Sequence, residues 1–257
     1  MQVTIIQLRL SETEPPRSRF ERVRKLLKLV HDADLVLLPE LWQTGFCSFD
    51  RYAEAAEPID GKTASAMAQA ARDLEAYVLA GSIVEREHDK LYNTSLLFAP
   101  TGELVGRYRK IHLFRFQSRE AEILTPGTEI VVVPTELARL GMSTCYDLRF
   151  PELYRRQLDQ GAEVFLVSAA WPYPRLDDWA LLVRARALEN LCFLIAANCS
   201  GENAGCTFIG RSCVVDPWGQ VIAGAGDSEA VIRAEIDLAT VSRRRSTFPA
   251  VDDRVLR

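Results

Sequence analysis

The sequence predicts an α/β fold in which two packed β-sheets carry helices on their outer faces. Strand and helix segments alternate toward both ends of the 257-residue chain, and β-hairpin segments fill its middle. Neither a linker, a repeat nor a low-complexity tract divides the chain. We expect about eleven or twelve strands and four main helices, a set that two sheets with outer helices bury well. The sequence therefore predicts one domain over residues 1–257.

The first elements follow from hydrophobic periodicity. Apolar residues alternate in 2–10, which predicts a strand, and recur at helical spacing in 18–31. The continuous apolar run 34–39 is typical of a strand buried on both faces. An aromatic-rich loop over 41–52 and an alanine-rich helix over 61–76 come next. The chain therefore begins as alternating strands and helices.

Hairpin signals organise the middle of the chain. Strands are predicted over 77–84, 91–98 and 103–108, joined by a charged turn and by Pro100-Thr101-Gly102. Segment 109–126 has weak periodicity, and long irregular segments of this kind are often functional.

The second half returns to alternating strands and helices. Strands are expected over 129–133, 136–142, 163–169, 192–198, 208–216, 221–223 and 230–236. Helices are expected over 151–160 and 177–190, with Asp177 as a possible N-cap of the second. Loops are expected over 171–174, 201–205 and 217–219, and the last fifteen residues are expected to form a charged surface segment.

The composition excludes several classes of partner. Hydrophobic residues make up 48% of the chain and charged residues 26%, with a net charge of -4. The basic run 243–245 is too short for a nucleic-acid surface. No apolar run is long enough to cross a membrane, and the N-terminal segment lacks the features of a signal peptide. We therefore expect a cytoplasmic location without nucleic-acid or membrane partners.

Cysteine usage points the same way. Six cysteines in a chain without a signal peptide predict reduced thiols. Cys192, Cys199, Cys206 and Cys213 recur every seven residues, but no CxxC pair accompanies the repeat, and the flanking segments are predicted strands and a loop. We therefore expect no zinc site there.

Residues 141–152 hold the strongest candidate for chemistry. A predicted strand ends in small polar residues and Cys145, and a helix candidate with Pro151 in its first turn follows at once. A cysteine at such a corner faces the backbone amides of the next turn, which stabilise a thiolate and a developing oxyanion. A buried structural cysteine fits the same stretch. The rest of the chain must supply a base and a cation.

Histidine is not expected to be that base. His31 and His88 fall in solvated segments, and His112 fits packing or hydrogen bonding beside a site better than proton transfer. The sequence also lacks a G-x-S-x-G elbow, an H-E-x-x-H motif and a phosphate loop.

A carboxylate and an ammonium offer an alternative. Glu40 ends the apolar stretch 35–39 where the chain leaves the sheet, and burial there would favour a base that works near neutral pH. Lys110 lies among apolar and aromatic residues in 108–114, where a buried ammonium could stabilise a thiolate and an oxyanion. A solvated loop glutamate and a snorkelling lysine remain open as alternatives.

Three blocks, in this order and spacing, resemble the signatures of the nitrilase superfamily of carbon–nitrogen hydrolases. They are L-P-E-L-W-x-T-G-F at 38–46, R-K-I-H-L-F at 109–114 and S-T-C-Y-D-L-R-F-P-E-L-Y-R at 143–155. Segments 185–190 and 215–219 fit the same family. The resemblance extends from about residue 2 to residue 237.

The resemblance implies a four-layer αββα sandwich whose subunits pair into homodimers or higher homo-oligomers. It implies Glu40 as general base, Lys110 as electrostatic stabiliser, Cys145 as nucleophile and the backbone N–H of Tyr146 as oxyanion donor. It implies neither a metal nor an organic cofactor.

A second glutamate after the lysine block positions the triad in many members of the family. Glu120 matches it best, counting back from Thr125-Pro126-Gly127, and Glu122 is the rival. Loop lengths vary at this point of the family, so the choice between the two stays open.

Residues 170–179 resemble the corresponding loop of bacterial ω-amidases, which deaminate 2-oxo-acid ω-amides such as 2-oxoglutaramate. The resemblance implies an amidase that releases ammonia from a small amide through a thioester on Cys145. Such a substrate carries a carboxylate, for which Arg175 is the candidate, although a surface arginine fits that position equally well. The aromatic residues that could wall a small pocket, or pack as core plugs, are Trp42, Phe46, Phe114 and Trp171.

Other functions remain open. Amidases of the same family that act on N-carbamoyl amines or aliphatic amides would share the three blocks. A nitrilase proper is disfavoured, because such chains are usually longer and carry Cys-Trp-Glu where this one has Cys145-Tyr146-Asp147. A non-catalytic scaffold would keep the fold, but the filled triad positions argue against it.

Overall fold

Fifteen strands and seven α-helices follow one another in the computed structural model, which describes residues 1–256. The strands are β1 (Gln2–Gln7), β2 (Arg9–Leu10), β3 (Leu35–Leu37), β4 (Tyr77–Glu87), β5 (Lys90–Phe98), β6 (Leu104–Arg109), β7 (Val132–Pro134), β8 (Arg139–Thr144), β9 (Val164–Ala169), β10 (Phe193–Asn198), β11 (Ser200–Asn203), β12 (Cys206–Ile209), β13 (Cys213–Val215), β14 (Val221–Gly224) and β15 (Ala230–Glu235). The helices are α1 (Pro16–Leu27), α2 (Tyr52–Ala55), α3 (Lys62–Leu74), α4 (Glu120–Ile123), α5 (Pro151–Asp159), α6 (Leu176–Asn190) and α7 (Ala239–Thr247).

The strands form two large sheets with matching topology. The first sheet has the order β15-β1-β3-β4-β5-β6, and the second has the order β14-β13-β10-β9-β8-β7. In the first, β1, β3 and β4 run parallel, and in the second, β8, β9 and β10 do so. Antiparallel strands flank both sets. A small sheet, β12-β11-β2, lies apart from them.

The layers follow the order helix, sheet, sheet, helix. Ile5 of the first sheet and Met142 of the second belong to one buried cluster, so the sheets pack face to face. Helices α1 and α3 cover the outer face of the first sheet with buried residues such as Val23 and Met67. Helices α5 and α6 contribute residues such as Tyr154 to the cluster of the second sheet. The predicted αββα sandwich is confirmed.

Local residue chemistry explains the element boundaries. Pro16 and Pro151 open α1 and α5, where a missing N–H costs nothing. Along β1 every residue from Val3 to Gln7 is buried, as the central position of this strand between two layers requires.

Several boundaries differ from the sequence prediction. The strand predicted over 2–10 is two strands, because β1 pairs with β3 while β2 turns away to pair with β11. The segment predicted as a loop over 201–205 contains most of β11. Gly201 permits this pairing, since its φ is +77° and a Cβ there would lie 2.3 Å from the carbonyl oxygen of Leu10.

One helix prediction also needs correction. Helix α6 begins at Leu176 with Arg175 at the N-cap, so Asp177 lies in the first turn, where its charge still favours the helix dipole. The segment expected on the surface, residues 243–257, begins within α7, and none of its described residues is buried.

The prediction that all thiols are reduced is wrong. Cys47, in the loop after β3, forms a disulfide with Cys206 of β12 across a sequence separation of 159 residues. Cys145, Cys192, Cys199 and Cys213 are free and buried. The seven-residue repeat is thereby broken, since one of its members is oxidised.

Residues 1–256 contain no group of three or more histidine, cysteine, aspartate or glutamate side chains that could hold a metal ion. None of the helices in this part of the chain is long and apolar enough to cross a membrane.

Candidate active site

Three strand ends bring the predicted triad together at one edge of the sandwich. Glu40 lies shortly after β3, and Lys110 directly follows β6, so both come from the first sheet. Cys145 directly follows β8 of the second sheet. Glu40 and Lys110 are 0% exposed and Cys145 is 6% exposed.

Lys110 is held by two carboxylates. Its Nζ lies 2.9 Å from Oε1 of Glu40 and 2.9 and 3.0 Å from the two carboxylate oxygens of Glu120. Burial alone would lower the pKa of Lys110, but the charges of Glu120 and Glu40 outweigh it and raise this pKa above its ordinary value. Lys110 is therefore a permanent cation in the interior.

The Cys145 thiol faces the carboxylate of Glu40. Burial, then the negative charge of Glu40, raise the pKa of Cys145 well above its ordinary value, while Lys110 and the N–H of Ala170 act against that rise. The thiol is therefore neutral at rest, and its reaction as a nucleophile requires transfer of its proton. The second oxygen of Glu40 accepts a hydrogen bond from the Ala170 N–H at 2.9 Å, which fixes the carboxylate.

The backbone is strained at this corner. Cys145 has φ +48°, and Leu41, directly after Glu40, has φ +42°, both in the left-handed region that non-glycine residues rarely adopt. Such strain persists only where surrounding contacts enforce it. Tyr146 follows Cys145 in a short 3₁₀ helix. The role of its backbone N–H as oxyanion donor remains a prediction.

Asp147 supplies such contacts beside Cys145, and its place in the sequence indicated no role for it. It is fully buried, and it accepts hydrogen bonds from the Tyr108 hydroxyl at 2.6 Å, the Thr144 N–H at 2.9 Å and the His112 N–H at 3.1 Å. Its other contact is His112 Nδ1 at 2.7 Å. Tyr108 and His112 lie on either side of Lys110, so Asp147 joins the lysine segment to the cysteine corner. His112 hydrogen-bonds Asp147 beside the site, in agreement with the role that its sequence position suggested.

Asn93 of β5 is a second residue that sequence reasoning missed. Its Nδ2 donates to Glu40 Oε1 at 2.7 Å and to Glu120 Oε1 at 3.1 Å. Its position directly after Tyr92, near the start of a predicted strand, gave no signal of this contact.

A narrow cavity of about 20 Å³ opens beside the thiol. Four of the predicted substrate-contact residues line it together with Cys145, Tyr146, Arg149, Ala170 and Pro172: these are Phe46, Phe114, Trp171 and Arg175. The Arg175 guanidinium lies 5.2 Å from the centre of the Phe114 ring, and Arg149 pairs with Asp178. Two arginines therefore line the cavity.

The prediction that Trp42 walls the pocket is wrong. Trp42 is 0% exposed, stacks on Phe20 at 5.9 Å between ring centroids, and donates its indole N–H to the Ala80 carbonyl. Leu41 turns the chain between Glu40 and Trp42, so the glutamate faces the site while the tryptophan packs against α1.

Geometry separates the two candidate glutamates. Glu120, in α4, is 0% exposed and accepts the Phe114 N–H at 2.7 Å in addition to Lys110. Burial, and the nearby charge of Glu40, raise its pKa, while Lys110 lowers it. Glu122 is 72% exposed, and its contact is with Arg119 at 3.8 Å. The catalytic role of Glu120 remains a prediction, but its position agrees with the preferred assignment.

Comparisons with known proteins identify the family of the chain. The sequence model of the carbon–nitrogen hydrolase family matches residues 2–246, a stretch that includes every member of the site. A 2-oxoglutaramate amidase from Paenarthrobacter nicotinovorans is 37% identical, with 99% of this chain and 89% of that protein covered. A 2-oxoglutaramate amidase from Bacillus subtilis is 39% identical, with 86% of this chain and 85% of that protein covered.

A solved structure matches the fold closely. XC1258 from Xanthomonas campestris, a CN-hydrolase superfamily protein with an arsenic adduct in its active site, superposes with a TM-score of 0.92 at 32% identity. The superposition covers 100% of this chain and 98% of that one.

The two glutamates should differ in their effect on stability. Glu120→Gln leaves the Lys110 ammonium with one carboxylate and turns an amide toward buried donors, so the free energy of unfolding should fall by about 3 kcal/mol. Glu122→Gln, on the surface, should change it by less than about 0.5 kcal/mol. Urea denaturation of both variants at neutral pH measures the difference. Equal effects would contradict the placement of Glu120 in the ion cluster.

Proposed function

Because this chain belongs to the carbon–nitrogen hydrolase family, we propose that it is an amidase that releases ammonia from the ω-amide of a small 2-oxo acid such as 2-oxoglutaramate. The observation that carries the proposal is the meeting of Cys145, Glu40 and Lys110 in one buried cluster. Similarity to relatives named as 2-oxoglutaramate amidases supports the substrate.

The first half of the reaction is acylation. Glu40 accepts the thiol proton of Cys145 as the sulfur attacks the amide carbonyl. The negative charge that develops on the carbonyl oxygen is held by the Lys110 ammonium and the Tyr146 N–H. When the C–N bond breaks, the proton on Glu40 passes to the leaving nitrogen, and ammonia departs from a thioester on Cys145.

The second half is hydrolysis of that thioester. Glu40, again a carboxylate, takes a proton from a water molecule, and the oxygen of that water attacks the thioester carbonyl. The same donors hold the second oxyanion, and the carboxylic acid product leaves as the sulfur regains its proton. Glu120 acts here through Lys110, which it fixes with two oxygens.

Arg175 is proposed to bind the substrate carboxylate. It lines the cavity beside Phe114, and no carboxylate among residues 1–256 forms an ion pair with it. Phe46, Phe114 and Trp171 would contact the carbon chain of the substrate between Arg175 and Cys145 once these side chains move apart, because the present cavity has room for about one water molecule.

We further propose that residues 1–257 form one carbon–nitrogen hydrolase domain and that two copies pair as a homodimer. The outer face of α6 and its neighbours supports the pairing, because Leu181, Leu188, Trp218 and Phe248 are 69%, 47%, 41% and 50% exposed. Apolar exposure of this extent is typical of interaction surfaces. We propose the cytoplasm as the compartment, on the basis of the free Cys145 thiol and in spite of the disulfide at Cys47.

Removal of the nucleophile should abolish turnover. Cys145→Ala should lose roughly 10⁶-fold in kcat and form no acyl adduct with an amide substrate, because no other group can carry the thioester. Cys213→Ala removes a cysteine of similar burial, 5% exposed, and should keep both properties. Mass spectrometry after rapid acid quench and an ammonia assay give the two readouts. An adduct of equal yield on Cys145→Ala would overturn the mechanism.

Removal of the base should block both half-reactions. Glu40→Gln keeps the shape but cannot accept a proton, so ammonia release in the first turnover and in the steady state should each fall by roughly 10²–10⁴-fold. Glu122→Gln serves as the control. A normal burst of ammonia from Glu40→Gln would show that another group takes the thiol proton.

Loss of Arg175 should affect acidic substrates selectively. Arg175→Gln removes a charged hydrogen bond to the carboxylate, so kcat/KM for 2-oxoglutaramate should fall by roughly 10–100-fold. The value for pentanamide, a neutral amide of similar length, should change far less. Arg156→Gln, on the exposed face of α5, is the matched surface control. An equal loss for both substrates would mean that Arg175 only shapes the pocket.

A further inference from the structure

Asn93 contacts three of the four charged or nucleophilic positions of the site. Its side-chain Nδ2 donates to both Glu40 and Glu120, and its backbone carbonyl accepts the N–H of Lys110 at 2.8 Å. The residue is 1% exposed. No other neutral side chain among residues 1–256 donates to both carboxylates.

The pleat of β5 aims this side chain at the site. Successive residues of a strand point to opposite faces. Accordingly Asn93 and Ser95 face the site, where the Ser95 hydroxyl lies 3.0 Å from that of Thr144 beside the nucleophile. Thr94 points the other way and donates to Glu85 at 2.6 Å.

The charge balance of the site calls for such a donor. Glu40 and Glu120 face one ammonium, Lys110, and the Cys145 thiol is neutral at rest, so two ionised carboxylates leave an excess negative charge away from water. Two other titratable groups lie nearby: the Tyr52 hydroxyl donates to the Phe46 carbonyl, and the Cys199 thiol donates to the backbone carbonyl of Glu40, so neither donates to a carboxylate. Hydrogen bonds to an ionised carboxylate favour that form over the protonated one.

A purely structural role explains Asn93 poorly. Its Oδ1 is buried and accepts no hydrogen bond from residues 1–256, so no other part of the protein holds this amide in place. The reverse orientation of the amide would set this oxygen against two carboxylates, so the N–H groups must face them. The residue is thus fitted to the carboxylates and to nothing else around it.

We propose that Asn93 is a positioning residue that keeps Glu40 and Glu120 ionised side by side, so that Glu40 remains ready to accept the Cys145 proton. The proposal rests on the proposed function, in which Glu40 is the base. In this view, the hydrogen bonds from the neutral Asn93 amide supplement the single charge of Lys110 in stabilising two buried carboxylates.

The test is the pH dependence of kcat/KM for Asn93→Ala. Without the amide, the carboxylates take up a proton more readily, so the acid limb should move to higher pH by about one unit, and kcat should fall more than KM changes. Asn190→Ala is the matched control, because Asn190 is also fully buried, also has an unpartnered Oδ1, and lies at the end of α6. It should lower stability without moving the acid limb.

Two further measurements keep the outcome decisive. If Asn93→Ala does not fold, the nearly isosteric Asn93→Asp replaces it, and a third acid in the cluster should move the limb at least as far. The pH profile of Cys145 alkylation by iodoacetamide needs no turnover, so it tests Asn93 even if wild-type protein hydrolyses no amide, a result that would defeat the proposed function alone. A folded Asn93 variant with wild-type profiles in both assays overturns the proposal.

Discussion

The ammonium of Lys110, shared by two carboxylates out of reach of water, determines the arrangement of the whole site. Buried ions are expensive, and their mutual attraction offsets the lost hydration only when every partner is in place. The cluster therefore binds the end of β6, the loop after β3 and the short helix α4 into one arrangement. Because these charges are fixed before any substrate arrives, little reorganisation remains for the moment when an oxyanion forms.

The second sheet joins this cluster through polar contacts rather than through the hydrophobic core. Asp147 receives hydrogen bonds from both sides of Lys110 and from Thr144, just before the strained Cys145. Asp147 therefore helps to set the separation of thiol and ammonium, together with the hydrogen bonds between Ser95 and Thr144 and between Ala170 and Glu40.

The hydrophobic pattern was enough to predict two sheets with outer helices, whereas the meeting of thiol, acid and ammonium was implied only by the resemblance to the nitrilase superfamily. Neither could predict Asn93, because an asparagine in a strand can face solvent, neighbouring loops or a buried site with the same alternation. The prediction for Trp42 was wrong for a related reason, since the left-handed conformation of one residue, Leu41, determines which side of the chain faces the pocket. The Cys47–Cys206 pair joins segments far apart in sequence, and spacing carries no signal of such a contact.

The molecule combines a disulfide, Cys47–Cys206, which reducing conditions break, with a free thiol, Cys145, which oxidising conditions modify. Both cysteines of the disulfide are half-buried, and they tie the loop that carries Phe46 to β12, whose backbone also holds the Tyr173 N–H beside the pocket. Dithiothreitol added to protect Cys145 from peroxide can also reduce this disulfide, whereas an oxidising buffer that preserves the disulfide leaves Cys145 without that protection. Purified samples of identical sequence can therefore differ in whether the Cys47–Cys206 disulfide anchors one wall of the pocket, depending on the thiol concentration of the buffer.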